Sequence, residues 1–593
     1  MRWRGTSLRS TTALMITTRM VAVSAIAWLS LGFLCPLPAQ MKAAPAAGRQ
    51  PVAAMDHDLM EVTIPKLERL YRERKYTVTE VVDWYIARIH RYNGVYGAIE
   101  NLDARGALAT AAREDAEAKA GGDGFRRGAM WGIPIVIKEN TSVQGLVTSD
   151  GWVGYTIPGH ELIAPRDATI VVKLRAAGAV ILAKTNMPDF AASDTNRSSA
   201  YGRTGNAYDV RFSPGGSSGG TVTAVTANMA LLGNGTDTGN SIRMPAATSA
   251  VVGVFPTRGL VSIAGIAPLD WLLDNTGPIA RDVTDAAIAL TVMAGEDPMD
   301  SATKGSAEKA QAGPYTQYLN RDALKGKRFG VPAFIVEGAG VPFQGIPAAE
   351  NASQVAAERE RARIRLQPET RAAFMKAIKA LESAGATVVF DDSILPESFA
   401  ETASRVSTLA YIREGTESFL ANFGPPQYRS PEEYEKAVGS PLPPTIIGGG
   451  EPDTHDSRPV TQVRFEDNPQ AATEVLTPRK QVLDQYNETL ERMHLDGYVY
   501  PAIQMPPVDE TMTQDGVVST GPHSDTSWVN MIGVPAVVVP AGFYPNGLPF
   551  GLEISARRWR DGDLLGWAYA FEQATKLRRP PTLVDKGLLS IEK

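Results

Sequence analysis

Gly215-Gly216-Ser217-Ser218-Gly219-Gly220, running straight into the apolar stretch Thr221 to Leu232, is the segment on which the fold reading turns. The glycine loop leads directly into what reads as a buried helix, so its backbone is held rather than loose. Working outward, Ile133 to Ile137 has the length and β-branching of a buried strand. Asp167 is placed to cap a helix through Ala177 that Gly178 ends, and Ala179 to Lys184 is the next strand. Thr284 to Ala294 reads as a further helix, capped by Asp282 or Thr284. The rhythm returns with Gly497 to Pro501, Val534 to Pro540 and Gly551 to Ser555, and a helix from Asp561 to Ala574 closes it. Strands alternating with helices predict an α/β fold, with a large central twisted, mostly mixed sheet covered by helices on both faces. Nearer the N-terminus, Thr77-Val78-Thr79-Glu80 has capping-box spacing, with Val78, Val81, Val82, Tyr85, Ile86 and Ile89 on one helical face. Leu102 to Ala120 is alanine-rich and reads as helix.

The chain has 593 residues, 44% hydrophobic and 21% charged, which places it among soluble globular proteins. Its net charge of −6, with no basic cluster beyond the N-terminus, argues against nucleic acid as a partner. Arg2, Arg4, Arg9 and Arg19 precede the apolar run Met20 to Leu34, and Pro36-Leu37-Pro38-Ala39 follows. That order reads as a signal peptide over 1–39, its apolar run being shorter than the ~20 residues a spanning helix needs. The expected location is therefore periplasmic or secreted, with no stable membrane insertion after signal removal. Residues 40–55 read as a flexible lead-in, and 56–593 as one catalytic domain. Two insertions, near 338–367 and 425–469, depart from the rhythm and read as surface or lid segments. Cys35 is the only cysteine. Without it no disulfide, thiolate metal site or cysteine nucleophile is available.

The chemistry centres on two serines and a lysine. A serine hydroxyl is a weak nucleophile at neutral pH and needs an adjacent base. None of the six histidines lies in a glycine-rich turn or beside a candidate serine, and no G-x-S-x-G elbow is present. Lys138 ends the apolar run Gly132 to Ile137. A lysine serves as a base only when neutral, which burial among hydroxyls would achieve; strand alternation would turn Glu139 the other way. The plain alternative is a lysine that carries its ammonium out to water. Thr238-Gly239-Asn240-Ser241 can turn successive N–H groups toward one point and hold an oxyanion. Equally, it can be an ordinary turn in which Asp237 bonds local N–H groups. The Gly215–Gly220 loop can also be a simple turn; as a phosphate loop it lacks the following Lys-Ser or Lys-Thr.

Several linked segments, in order, resemble the amidase signature family. Gly132 to Asn140 resembles its lysine strand, Gly215 to Gly220 its G-G-S-S-G-G loop, and Gly233 to Pro245 its nucleophile segment. Pro256-Thr257-Arg258-Gly259, Asp274 to Arg281, Asn530 to Pro540 and Gly547 to Ile554 continue the likeness, which runs from about Leu59 onward and is weak in the two insertions. The resemblance implies the amidase-signature fold. It implies Ser241 as the nucleophile, Ser217 as a bridging serine that follows a cis peptide, and Lys138 as the base acting through Ser217. It implies an oxyanion hole from Thr238, Gly239, Asn240 and Ser241, with Ser218, Asp237 and Arg243 in support. It implies no cofactor and no metal. Asn240 stands where many members have glycine, which narrows the space beside the acyl group.

On this reading the chain is expected to be an exported serine amidase that converts a carboxamide to a carboxylate plus amine or ammonia through an acyl-enzyme on Ser241. Linear or aryl amides are the expected substrates, with possible esterase side activity. Its expected partner is a small-molecule amide, with a homodimer as a further candidate. Trp271-Leu272-Leu273 and Trp528 can line an apolar substrate pocket or simply pack the core. Two alternatives remain: an amidotransferase-type subunit that passes ammonia to a misacylated tRNA, and a catalytically silent scaffold on the same fold. The export signal and the absence of a basic surface argue against the first, and the joint presence of Lys138, Ser217 and Ser241 against the second.

Overall fold

The strands Ile133–Lys138 and Leu232–Asp237 are buried at every position and lie side by side in one sheet. A computed structural model describes residues 52–122, 125–342, 344–346, 351–448, 460–511 and 522–581. The signal-peptide expectation for 1–39 lies outside the described residues. Of the expected lead-in, the last four residues fall in the helix Val52–Leu59 rather than in flexible chain.

In chain order the strands are β1 (Ile99–Leu102), β2 (Ile133–Lys138), β3 (Ala179–Thr185), β4 (Arg197–Ser198), β5 (Gly202–Arg203), β6 (Leu232–Asp237) and β7 (Val252–Phe255). Then come β8 (Asn275–Ala280), β9 (Arg328–Val331), β10 (Thr387–Phe390), β11 (Gly497–Pro501), β12 (Ala536–Phe543) and β13 (Pro549–Ser555). Eleven of them form one sheet in the order β1-β3-β2-β6-β8-β7-β12-β13-β11-β9-β10, and β4 pairs with β5 alone. The sheet is mixed. β2 runs parallel to both β3 and β6, the pairs from β6 through β8, β7, β12 and β13 to β11 are antiparallel, and β11-β9-β10 is parallel again. The α/β expectation therefore holds in detail. Full burial of the central strands requires cover on both faces, and the largest apolar cluster draws on β2, β3, β12 and β13 together with the helices that pack on them.

Local signals set several helix ends. Thr77 and Glu80 form a reciprocal capping box that starts the helix Val78–Tyr96, which buries all six predicted face residues. Asp282 caps Val283–Met293 by accepting from the Asp285 N–H. Other boundaries differ from the sequence reading. The helix expected over Leu102–Ala120 begins at Ala104, capped by Asp103, because Leu102 belongs to the edge strand β1. Asp167 does not cap the helix Thr169–Ala176: it accepts from the Gln144 N–H at 2.7 Å and pairs with Arg175 at 3.0 Å, leaving Ala168 at the cap. The apolar run after the glycine loop is helical only over Gly219–Thr226, and its last residue already starts β6. Unbroken apolar sequence is equally compatible with a buried helix and a buried strand, so periodicity could not divide it. The two arrhythmic segments contain short helices, Ala352–Ala362 in the first and Pro431–Val438 and Pro444–Ile447 in the second.

Candidate active site

The site forms where β2 and β6, running parallel, both end. Lys138 is the last residue of β2 and Asp237 the last of β6. The strand N–H of Lys138 donates to Asn234 Oδ1 at 3.0 Å, which locks the lysine to β6. Its side chain is fully buried. Nζ lies 2.7 Å from Ser217 Oγ, 3.0 Å from Ser218 Oγ, 2.8 Å from Thr236 Oγ1 and 3.3 Å from the Thr236 carbonyl oxygen. Every one of these partners is a hydroxyl or a carbonyl; among the described residues no carboxylate bonds to it. Burial lowers the lysine from its ordinary value to about 7, against the opposing pull of Asp150, Asp237 and Asp274. An amine with that value is substantially unprotonated at neutral pH and can accept a proton from a hydroxyl.

Ser217 is fully buried and follows a cis peptide bond at Gly216, as the resemblance implied. Ser241 closes the loop after β6 and is 7% exposed, so it keeps a narrow path to solvent. The Ser218 N–H donates to the Ser241 carbonyl at 3.3 Å, which joins the two serine loops. Between β6 and Ser241, Thr238 Oγ1 donates to Asp274 Oδ1 at 2.5 Å and the Ile242 N–H donates to Asp237 Oδ2 at 3.0 Å. Asp237 thus bonds the turn from within, as the ordinary-turn reading had it. The N–H groups of Thr238, Gly239, Asn240 and Ser241 take no acceptor from the described residues. One side of the turn is thus fastened, while these four N–H groups are left without an acceptor among the described residues.

Arg243 fastens this turn to the far half of the sheet. Its guanidinium donates to both oxygens of Asp237 at 3.0 and 3.1 Å, to the Gly239 carbonyl at 2.7 Å and to Glu553 Oε1 at 2.9 Å. It also donates to Asn530 Oδ1 at 2.5 Å and to the Thr526 hydroxyl at 2.7 Å. Asn530 in turn donates to the Asp237 carbonyl and to its Oδ1. Burial alone would raise Asp237, yet the Arg243 charge outweighs it and holds the carboxyl below its ordinary value. Breaking a buried pair strands the charge left behind, at a cost of about 3–5 kcal/mol. Arg243→Ala is expected to lose stability of that order. The check is the denaturant midpoint of unfolding, which should fall with little change in slope; an unchanged midpoint would contradict the assignment.

The structure brings together Lys138, Ser217, Ser218, Thr238, Gly239, Asn240, Ser241, Asp237 and Arg243. Sequence reading missed Thr236, Asn140, Asn234, Asp274, Asn530 and Glu553. Asn140 Nδ2 donates to Thr236 Oγ1 at 3.0 Å and so orients the hydroxyl that faces the lysine. Of these six, Thr236 and Asn234 bond Lys138 directly, Asn140 stands behind Thr236, and Asp274, Asn530 and Glu553 hold the turn through Thr238, Asp237 and Arg243, contacts that no local motif marks. The tryptophans part ways. Trp528 is fully buried against Phe399, Tyr486 and Tyr500 and is core. Trp271 borders a cavity of about 220 Å³ shared with Arg258, Phe419 and Phe423. Among the described residues no cluster of His, Cys, Asp and Glu is arranged to hold a metal ion, and no helix is long and apolar enough to cross a membrane.

Comparison with known proteins bears directly on this geometry. The amidase family's profile matches residues 80–344 and 343–565. Among curated relatives, the glutamyl-tRNA(Gln) amidotransferase A-subunit of Alkaliphilus metalliredigens is 31% identical over 541 residues, covering 86% of this chain and 96% of the relative. The protein of the same name from Halothermothrix orenii is 32% identical, covering 88% and 99%. Among solved structures, the native peptide amidase of Stenotrophomonas maltophilia is 28% identical with a TM-score of 0.67, covering 88% of this chain and 98% of that one. These relatives correct the expectation of an exported serine amidase: the matched curated proteins carry the amidotransferase name and align across nearly their whole length. With the profile spanning the lysine strand, both serine loops and the closing strands, this chain belongs to the amidase family and is an amidase-family enzyme.

Proposed function

We propose that this chain is an amide-hydrolysing subunit of the amidotransferase type, which frees ammonia from a linear, glutamine-class carboxamide. The observation that carries this reading is the 31–32% identity to glutamyl-tRNA(Gln) amidotransferase A-subunits over 96–99% of their length. The site supplies the chemistry. Neutral Lys138 Nζ takes the proton of Ser217 as Ser217 Oγ takes that of Ser241. Ser241 Oγ then attacks the amide carbonyl carbon. The resulting oxyanion lies against the N–H groups of residues 238–241, each such donor being worth about 3–4 kcal/mol in the transition state. The relay returns a proton to the leaving nitrogen, ammonia departs, and an acyl ester remains on Ser241. Water, activated by the same relay run again, releases the carboxylate.

The test is direct. Purified chain is incubated with L-glutamine, and glutamate and ammonia are measured separately. Equal amounts of both are expected. A C-terminally amidated peptide serves as the contrast, because one solved relative is a peptide amidase. Ammonia from the peptide with none from glutamine would overturn the amidotransferase-type reading.

A further inference from the structure

Asn240 sits between the oxyanion turn and the nucleophile, and its side chain does not point idly. Nδ2 donates to Asp194 Oδ1 at 3.3 Å. Asp194 belongs to the segment 193–195 that crosses over the serine loops. The Thr195 N–H donates to Ser193 Oγ at 3.2 Å, and the two hydroxyls lie 3.0 Å apart, which fixes the turn. A Cβ placed on Gly216 would lie 2.4 Å from the Ser193 carbonyl oxygen and 2.7 Å from that of Thr195. The segment therefore rests on the residue before Ser217 while its carboxylate reaches the residue before Ser241.

What this carboxylate lacks is a counter-charge. Nearby, Asp237 is answered by the Arg243 charge, and Asp274 by three neutral donors, the Thr238 hydroxyl and the Leu269 and Asp270 N–H groups. Among the described residues no lysine or arginine pairs with Asp194, and Asn240 is its one side-chain donor. The residue is half-buried. Loss of water around its carboxyl lifts it to about 7, with Asn240 opposing and the nearby Asp237 charge adding to the rise. A carboxylate with one amide donor and no resident cation, held against the residue before the nucleophile, gains a charge-assisted bond when a cation arrives. Asn240 itself is the departure from glycine in the nucleophile loop, and it is the residue that reaches Asp194.

We propose that Asp194, oriented by Asn240, is a recognition subsite for a protonated amine carried on the acyl portion of the substrate. The subsite selects among amides by charge. The choice of glutamine as one probe rests on the amidotransferase-type reading; the subsite itself rests on the contacts around Asp194.

The experiment uses the full chain and two pairs of amides that differ in a protonated amine: L-glutamine with glutaramic acid, and 4-aminobutanamide with butanamide. Ammonia release gives kcat/KM for each, and calorimetry on Ser241→Ala gives binding without turnover. The cationic member of a pair is expected to be favoured at least about tenfold, which corresponds to one charge-assisted contact of about 1.4 kcal/mol or more. In Asp194→Asn that ratio should fall to near unity, through KM rather than kcat, and Asp194→Glu should restore part of it. A ratio near unity in the wild type, a ratio that survives Asp194→Asn, or binding of none of the four overturns the subsite. If glutamine fails while 4-aminobutanamide keeps its advantage and loses it in Asp194→Asn, the subsite stands and the amidotransferase-type reading falls.

Discussion

Ser241→Ala is expected to retain less than about one part in 10⁴ of the wild-type amide hydrolysis, since members of a nucleophile–base unit act together and the residual rate comes from binding and oxyanion contacts alone. The loss should be in kcat. The fold should persist, because the loop is fastened by groups other than the serine hydroxyl: Thr238 to Asp274, the Ile242 N–H to Asp237, and the Ser241 carbonyl to Ser218. Two measurements check this. Initial rates of ammonia release report the loss, and a fluorophosphonate probe should add its mass to the Ser241 peptide of the wild type and to no serine of the variant. Turnover comparable to wild type, or labelling at another serine, would remove Ser241 from its role.

The second large effect belongs to the base. Lys138→Ala is expected to lower hydrolysis by about 10³–10⁴-fold, the upper range for loss of a positioned proton acceptor. Its signature is in pH. With the amine lowered to about 7, wild-type hydrolysis should rise from pH 6 to pH 8 as the neutral form becomes populated, and the alanine variant should lose that inflection. The same shift enters stability with a definite sign. Between about 7 and the ordinary 10.5 the unfolded chain holds a proton on this lysine that the folded chain does not. Its contribution to folding therefore grows as pH rises through that window and is level below about 7. Rate against pH for both proteins, beside denaturation midpoints at pH 7 and 9, tests both halves. A wild-type profile flat across pH 6–8 would exclude the neutral amine as the base.

Legibility in the sequence followed the chain's local chemistry. Lys138, Ser217 and Ser241 could be read because each lies in a short segment whose composition is unusual: an apolar strand that ends on a cation, and two glycine-rich turns. Asn530 and Glu553 could not, because they meet Asp237 and Arg243 only through the order β6-β8-β7-β12-β13, which joins positions some 300 residues apart without any mark on either. Thr236 was hidden by being ordinary; a threonine in a strand signals sheet long before it signals a partner for an amine. The division of Thr221–Leu232 into helix and strand was hidden by uniform apolarity. The function was misread for a different reason. Both readings share the motifs around Lys138, Ser217 and Ser241, so those motifs could not separate them.

The pairing of β2 with β3 carries a last implication. Ile137 is opposite Lys184 and Lys138 is opposite Thr185, so the two lysines of neighbouring strands face away from each other. Lys184 Nζ lies 3.6 Å from Glu139 Oε2 and donates to the Glu139 and Val147 carbonyls, while Lys138 meets only oxygen groups without formal charge. The pleat thus works as an insulator between two wells of opposite character, a few ångströms apart. A slip of β3 by one position would turn Lys184 onto the face that holds Lys138, set a second ammonium beside the relay, and silence the enzyme with every one of its side chains still present.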